Sequence, residues 1–197
     1  MGNGYGLKMQ DWIFRRPSLR FLLSKSQRRR IETSELRKLS FGYNGLTAEL
    51  YAAPESFCDF FSPEVCRASF SGELRPDVSE LDYFYIIRKG EDVIGFFRTI
   101  DLFFDDVIEV HGSYGYADLS YLTSYMALSR LYIAHMNRIF PSRRMMTLVR
   151  DDNKATLQFI KWLGFQPEPN AESLPDRQSY ILKKDTLDEI YSKLLGV

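Results

Sequence analysis

Arg150-Asp151-Asp152-Asn153-Lys154-Ala155-Thr156-Leu157-Gln158-Phe159-Ile160-Lys161-Trp162-Leu163-Gly164-Phe165 is the stretch whose reading decides the fold. Asn153 to Leu163 reads as a helix, and Gly164 stops it, since glycine accepts the left-handed conformation that ends helices. Just before it, Arg144 to Arg150 reads as a short strand carrying Met145, Met146, Leu148 and Val149. Upstream, Leu119, Leu122, Met126, Leu128, Leu131, Ile133, Ala134 and Ile139 recur at helical spacing. They predict a helix over 118–138, with Asp118 or Ser120 as its cap and Pro141 as its end. Earlier still, Tyr83–Arg88 and Val93–Leu102 are aromatic and β-branched runs around a Lys89-Gly90-Glu91-Asp92 turn. After an Asp105-Asp106 turn, Val107–Gly112 completes a three-stranded antiparallel meander. Downstream, Phe165 leads into a Pro/Asn/Glu-rich loop through Asp176. A strand over Gln178–Lys183 and a helix over Thr186–Leu195 follow. This order predicts a mixed α/β (α+β) domain, its crossover helix lying on one sheet face.

The amino-terminal part is weaker in signal. Leu36–Tyr43 reads as a first strand, Asn44-Gly45 as a turn, and Leu46 to about Phe61 as helical, broken near Pro54. Ser62-Pro63-Glu64 looks like a helix start, with proline in its first turn. Ser69–Ser79 is a loop by composition. Residues 7–30 mix Trp12, Ile13, Phe14, Leu19, Phe21, Leu22 and Leu23 with basic residues and end in Arg28-Arg29-Arg30. The division expected is a basic amphipathic extension over 1–30 and one domain over 31–197. The apolar residues of the extension predict that Trp12, Phe14 and Phe21 pack on the domain or on a second subunit.

The chain has 197 residues, 45% hydrophobic, 15% aromatic and 26% charged, which is enough to bury a core and excludes global disorder. The formal net charge is zero. Eight basic residues and one acid give residues 1–30 a charge of +7, which leaves −7 for the rest. A body of that sign does not suggest a polyanion binder. Docking to nucleic acid or an anionic membrane is confined, if it occurs, to residues 1–30. No apolar stretch is long enough for a transmembrane helix. Cys58 and Cys66 form neither a disulfide framework nor a zinc spacing, so reduced thiols and no metal are expected. With no secretory signal at the start, a cytoplasmic location is expected.

The quoted stretch resembles the closing motif of the GNAT N-acetyltransferase superfamily, with Asn153 starting the second helix and Leu163-Gly164-Phe165 ending it. The meander, long helix and short strand before it match in order. The resemblance covers about residues 80–185 well and 31–80 loosely. It implies a mostly antiparallel sheet flanked by helices. It further implies an acyl-CoA-dependent N-acyltransferase, with acetyl-CoA or another acyl-CoA as cosubstrate and direct attack by an amine. The acceptor is a small-molecule or peptide amine, and a homodimer is left open. The pantetheine arm is expected where the strand ending at Gly112 splays from Arg144–Arg150. Cofactor contacts are expected at Val110, Gly112, Tyr121, Thr123, Ser124, Asn153 and Phe159.

Two departures accompany the resemblance. The family's glycine-rich pyrophosphate loop falls near Tyr121–Met126, where no glycine stands. The tyrosine that the family often places four residues before the Gly of Gly-Phe is Ile160 here. These departures support the rival reading, a GNAT-like binding or structural module without catalysis.

For the chemistry, Val107, Glu109 and His111 alternate and share a strand face, with Ile108 and Val110 on the other. The expected base is Glu109, its pKa raised by burial, with His111 as partner or replacement. Tyr180 is the candidate acid for the leaving thiolate, if there is one. His135 is read as a structural histidine. Asp101, Asp105 and Asp106 are read as a solvated turn, and Tyr114, Tyr116, Tyr121 and Tyr125 as lining a cleft or a partner surface.

Overall fold

The computed structural model describes residues 23–51, 59–69, 82–102, 106–115, 118–141, 143–168 and 176–182. The expectations for residues 1–22, for Cys58, Asp105 and Tyr116, for most of the Ser69–Ser79 loop and for the helix over Thr186–Leu195 lie outside these residues.

Helix α1 (Lys25–Lys38) starts at a capping box: Ser24 Oγ accepts from the Gln27 amide, and Gln27 Oε1 accepts from the Ser24 amide. It runs through the Arg28–Arg30 run and across position 30 without a break. It buries Ile31, Glu32 and Leu36. The Tyr85 hydroxyl donates to the Leu36 carbonyl at 3.0 Å.

Two expectations are corrected here. The strand read over Leu36–Tyr43 is the end of α1 followed by β1 (Ser40–Tyr43). The helix read from Leu46 is strand β2 (Leu46–Leu50), in which Leu46 and Ala48 are buried while Thr47 and Glu49 are exposed. That period of two is a strand's, and pairing with both neighbours overrides the helix preference of Leu, Ala and Glu. Asn44 and Gly45 both take positive φ, 49° and 78°, making the tight turn that joins β1 to β2.

Helix α2 (Pro63–Ser69) begins at the expected proline. The meander follows as β3 (Asp82–Lys89), β4 (Asp92–Leu102) and β5 (Val107–Tyr114). Next come a 3-10 turn (Leu119–Tyr121) and the long helix α3 (Leu122–Ile139). Strand β6 (Arg144–Arg150), helix α4 (Lys154–Trp162), β7 (Phe165–Pro167) and β8 (Arg177–Leu182) complete the described elements. The Pro/Asn/Glu-rich segment after Gly164 therefore opens with a short strand rather than a loop.

The eight strands lie in the order β1-β2-β3-β4-β5-β6-β8-β7. Every pair is antiparallel except β5 and β6. One sheet face carries Tyr83, Tyr85, Ile87, Phe97, Ile108, Val110, Met145 and Val149 and buries them under α1, α3 and α4. Rings dominate that core: Phe97 stacks on Tyr132 of α3 with centroids 4.4 Å apart. The opposite face presents Phe84, Ile86 and Phe96, which pack with Phe61 and with Cys66 of α2.

A third correction concerns Asp101. It is not in a solvated turn but buried at the end of β4, its carboxylate accepting from Arg143 Nη1. Arg143 Nη2 donates to Glu32 Oε2 at 2.7 Å, which ties α1 to the sheet through one guanidinium. Arg143, Asp101 and Glu32 are 5%, 4% and 5% exposed at the side chain. Arg143→Ala would take from the two buried carboxylates the cation they share, leaving Asp101 with Arg29 Nε at 3.9 Å. Urea denaturation should show a loss of about 3–5 kcal/mol, the cost of breaking a buried pair from one side. A loss under about 1 kcal/mol would contradict this reading of the cluster.

Candidate active site

Strands β5 and β6 pair at three positions only: Val107 with Arg144, Ile108 with Met145 and Glu109 with Met146. Beyond them β5 stays with β4 as far as Tyr114, while β6 stays with β8 as far as Arg150. A cavity of about 180 Å³ lies in the gap. Its walls are Val110, His111, Gly112 and Ser113 on β5, and Thr147, Leu148, Val149 and Arg150 on β6. Ser129, Tyr132 and Ile133 of α3 close one side, and Asn153, Thr156, Phe159 and Ile160 come from α4 and its cap. Two facing strand edges whose ladder has stopped present backbone donors and acceptors to whatever lies between them. An extended chain carrying amides suits that gap better than a flat apolar ligand does.

Gly112 is where a backbone comes close to a ring. A Cβ there would stand 2.8 Å from the Tyr125 hydroxyl oxygen and 3.1 Å from Phe97 Cδ1. Tyr125 is buried between Phe97 and Tyr114, at ring centroid distances of 5.5 and 5.3 Å. It is therefore part of the core beneath the cavity. Burial pushes its phenol well above the ordinary tyrosine range.

On the sheet face away from α3, His111 Nε2 and Glu109 Oε1 are hydrogen-bonded to each other. The ladder sets Arg98 directly across from His111, on the same face. Burial acts to raise the Glu109 pKa, but the hydrogen bond and charge of His111, together with the charges of Arg98 and Arg177, outweigh it. The net shift is below the ordinary carboxylate value, opposite to the rise expected from burial alone. Glu109 is thus held as an anion. His111 is on the cavity wall.

Of the residues singled out from the sequence, Val110, His111, Gly112, Asn153 and Phe159 come together around the cavity. Asn153 caps α4 as its sequence position implied, its Oδ1 accepting from the Thr156 amide at 3.1 Å. Tyr121, Thr123 and Ser124 stand at the start of α3, where Tyr121 makes no side-chain cap. The helix is entered from the 3-10 turn, whose start Asp118 caps by accepting from the Ser120 amide at 2.8 Å, and the Leu122 amide donates to the Leu119 carbonyl; Lys89 Nζ lies 5.9 Å from the Tyr121 ring centroid. The Ser124 hydroxyl accepts from Asn44 Nδ2 at 2.9 Å. Tyr180 lies on the face that α3 and α4 cover, and its hydroxyl donates to Gln178 Oε1 at 2.9 Å. Its pKa is raised by burial and by Asp151. His135, against the Phe41 ring, is pushed down to about 4 by burial and by Arg138, so it stays neutral, as a structural histidine would. Among the described residues no group of three His, Cys, Asp or Glu side chains is placed to hold a metal ion. No helix among them is long and apolar enough to cross a membrane.

Sequence reasoning missed Thr147, Arg150 and Arg177 on the wall and Arg98 beside it. The alternation of β4 and β5 was available to find Arg98. Arg177 required the β6–β8 pairing, which no local pattern shows.

No family model and no curated protein matches the chain. Solved structures do. A ribosomal-protein-S5-alanine acetyltransferase from Vibrio fischeri superposes with a TM-score of 0.56 at 14% identity, over 75% of this chain and 97% of that one. A spermidine N-acetyltransferase from Vibrio cholerae, in complex with CoA and spermine, gives 0.56 at 10% identity, over 73% and 98%. A nucleotide-linked sugar GNAT gives 0.56 at 14%, over 80% and 96%. The chain has the GNAT acetyltransferase fold.

Two outcomes follow from the site. Gly112→Ala should destabilise by about 1–3 kcal/mol, as overpacking does, and adding Tyr125→Phe should return part of the loss. No rescue in thermal melts would mean that Tyr125 is not what Gly112 accommodates. The second outcome concerns Glu109, whose folded pKa is depressed. Its stabilisation is complete above the ordinary carboxylate value and is lost as pH falls through the folded value. The stability gap between wild type and Glu109→Gln should therefore be wider at about pH 6 than at about pH 3. An equal gap at both would contradict the held anion.

Proposed function

We propose that the chain is an acyl-CoA-dependent N-acyltransferase that transfers an acetyl group to an amine by direct attack. The observation that carries this reading is the three-position ladder between β5 and β6, with His111 on the wall of the gap beyond it. The open strand edges suit the amides of a pantetheine arm. Val110, Gly112, Asn153 and Phe159 would contact it. The start of α3, reached through the 3-10 turn that Asp118 caps, would face the phosphates with Tyr121, Thr123, Ser124 and the nearby Lys89.

An amine attacks a thioester only as the free base. Glu109 takes the Nε2 side of His111, which leaves Nδ1 to accept the proton of the attacking nitrogen. The N–C bond forms, the C–S bond breaks, and the thiolate leaves with the pair of electrons. The proton held by the imidazole is then available to the sulfur. We assign His111 as the base and Glu109 as the anion that positions it. Tyr180 is not needed, since its hydroxyl is engaged with Gln178. The glycine-free start of α3 favours the rival, a module of the same fold without catalysis.

Acetyl-CoA at one hundred times its Kd should stabilise the chain by about 2.7 kcal/mol, read as a rise in Tm. Asn153→Ala should weaken that binding. Once an acceptor is in hand, His111→Ala should cut kcat about 10²-fold, and Glu109→Gln by less. No thermal shift at millimolar acetyl-CoA would favour the non-catalytic module. A larger loss in Glu109→Gln than in His111→Ala would return the base to Glu109.

A further inference from the structure

The cavity does not end in the gap between β5 and β6. Its wall includes Phe165, and the strand registry fixes where that residue lies: Phe165 pairs with Leu182, Leu182 with Met145, and Met145 with Ile108. That row crosses the sheet where the β5–β6 ladder is closed. Cross-strand partners share a face, and all four belong to the core under the helices. The cavity at Phe165 is therefore beneath the sheet, between it and the helices, and not in the opening between the strands. Ile133 of α3, Ile160 of α4 and Leu163 at the end of α4 wall it from the helix side. His111, Arg150 and Arg177 line it from the opposite face, so the cavity runs through the sheet.

The core-side lobe is apolar. Ile133, Ile160, Leu163 and Phe165 are between 2% and 5% exposed and carry no polar side-chain atom. The two hydroxyls beside them are engaged: Ser129 donates to the Tyr125 carbonyl at 2.8 Å, and Tyr132 to the Arg98 carbonyl at 2.9 Å. No charged side chain lines the cavity on this face among the described residues. Such walls favour hydrocarbon and penalise an anion. A cavity of about 150 Å³ lined by Leu, Ile and Phe holds a benzene-sized ligand. The whole cavity here is about 180 Å³, so its lobe has room for a few methylenes and not for a long fatty chain. An acetyl group carries only a methyl beyond its carbonyl, too little to cover four apolar side chains.

Resting on the acyltransferase reading, we propose that the lobe is an acyl pocket, and that the preferred donor is the CoA thioester of a short apolar acid of butyryl size, its tail lying against Ile133, Ile160, Leu163 and Phe165. The thioester carbonyl stays in the gap. The amine attacks from the His111 side, and the tail points through the sheet to the core side. The bond changes are those of acetyl transfer: the N–C bond forms, the C–S bond breaks, and the proton taken by the imidazole goes to the sulfur. The tail takes no part in them.

Calorimetric titration with acetyl-, butyryl- and succinyl-CoA tests this without an acceptor. Butyryl-CoA should bind at least about tenfold tighter than acetyl-CoA, the effect of burying two more methylenes. Succinyl-CoA has butyryl's length but ends in a carboxylate, and should not share the gain. Leu163→Phe fills the lobe and should remove most of the gain, whereas general adhesion of an apolar tail would leave it unchanged. Ile133→Phe is the second variant if Leu163→Phe fails to fold, and the wild-type ratios decide if neither folds. Acetyl-CoA binding with no gain for butyryl-CoA, an equal gain for succinyl-CoA, or a gain that survives a folded variant would overturn the proposal and leave the acyltransferase reading standing. Binding of none of the three thioesters would overturn the acyltransferase reading, and the proposal with it.

Discussion

Two parallel strands that pair over three residues and then part are the constraint on which the rest depends. Each is committed elsewhere: β5 to eight register positions with β4, and β6 to six with β8. Beneath the gap α3 sets Ser129, Tyr132 and Ile133, with Tyr132 stacked flat on Phe97. Closing the gap would require one of the two outer ladders to slip, and a slip by one residue turns every side chain to the other face. The opening is therefore built in by registry, not left by poor packing.

The same registry arranges the charges. Parity puts Arg98, Glu109 and His111 on the face away from α3, and Phe97, Ile108 and Val110 under it. The apolar face builds the core. The polar face is free to hold a carboxylate–imidazole pair beside arginines. The buried Arg143 cluster stands just before β6 and joins Asp101 at the end of β4 to Glu32 on α1. It anchors the closed end of the two strands while the other end stays apart.

Much of this was legible in the sequence. The aromatic and β-branched runs of β3 to β5, the apolar helical period of α3 and the Asn153–Gly164 spacing all agree locally with the fold, so reading them needed no tertiary information. Alternation alone put Glu109 and His111 on one face. The failures have physical causes. Residues 46–50 have helix-prone composition but sit between two strands, and pairing decided. Asp101 looked like part of a turn because its partner, Arg143, is 42 residues away. The Glu109 shift runs against burial first because of the hydrogen bond and charge of His111, with smaller contributions from Arg98 and Arg177, which reach it only through strand registry. The Ser24–Gln27 capping box was readable and would have started α1 where it starts.

The central claim is that the gap between β5 and β6 receives an acyl-CoA thioester beside His111. The most direct measurement is a crystal structure of the chain with a hydrolysis-resistant thioether analogue of acetyl-CoA. The expected result is a pantetheine arm running between Gly112 and Thr147, with the acyl carbonyl close enough to His111 for an attacking amine to fit between them, directly or through one water. An analogue bound away from that gap, or a gap filled by the chain's own side chains, would contradict it.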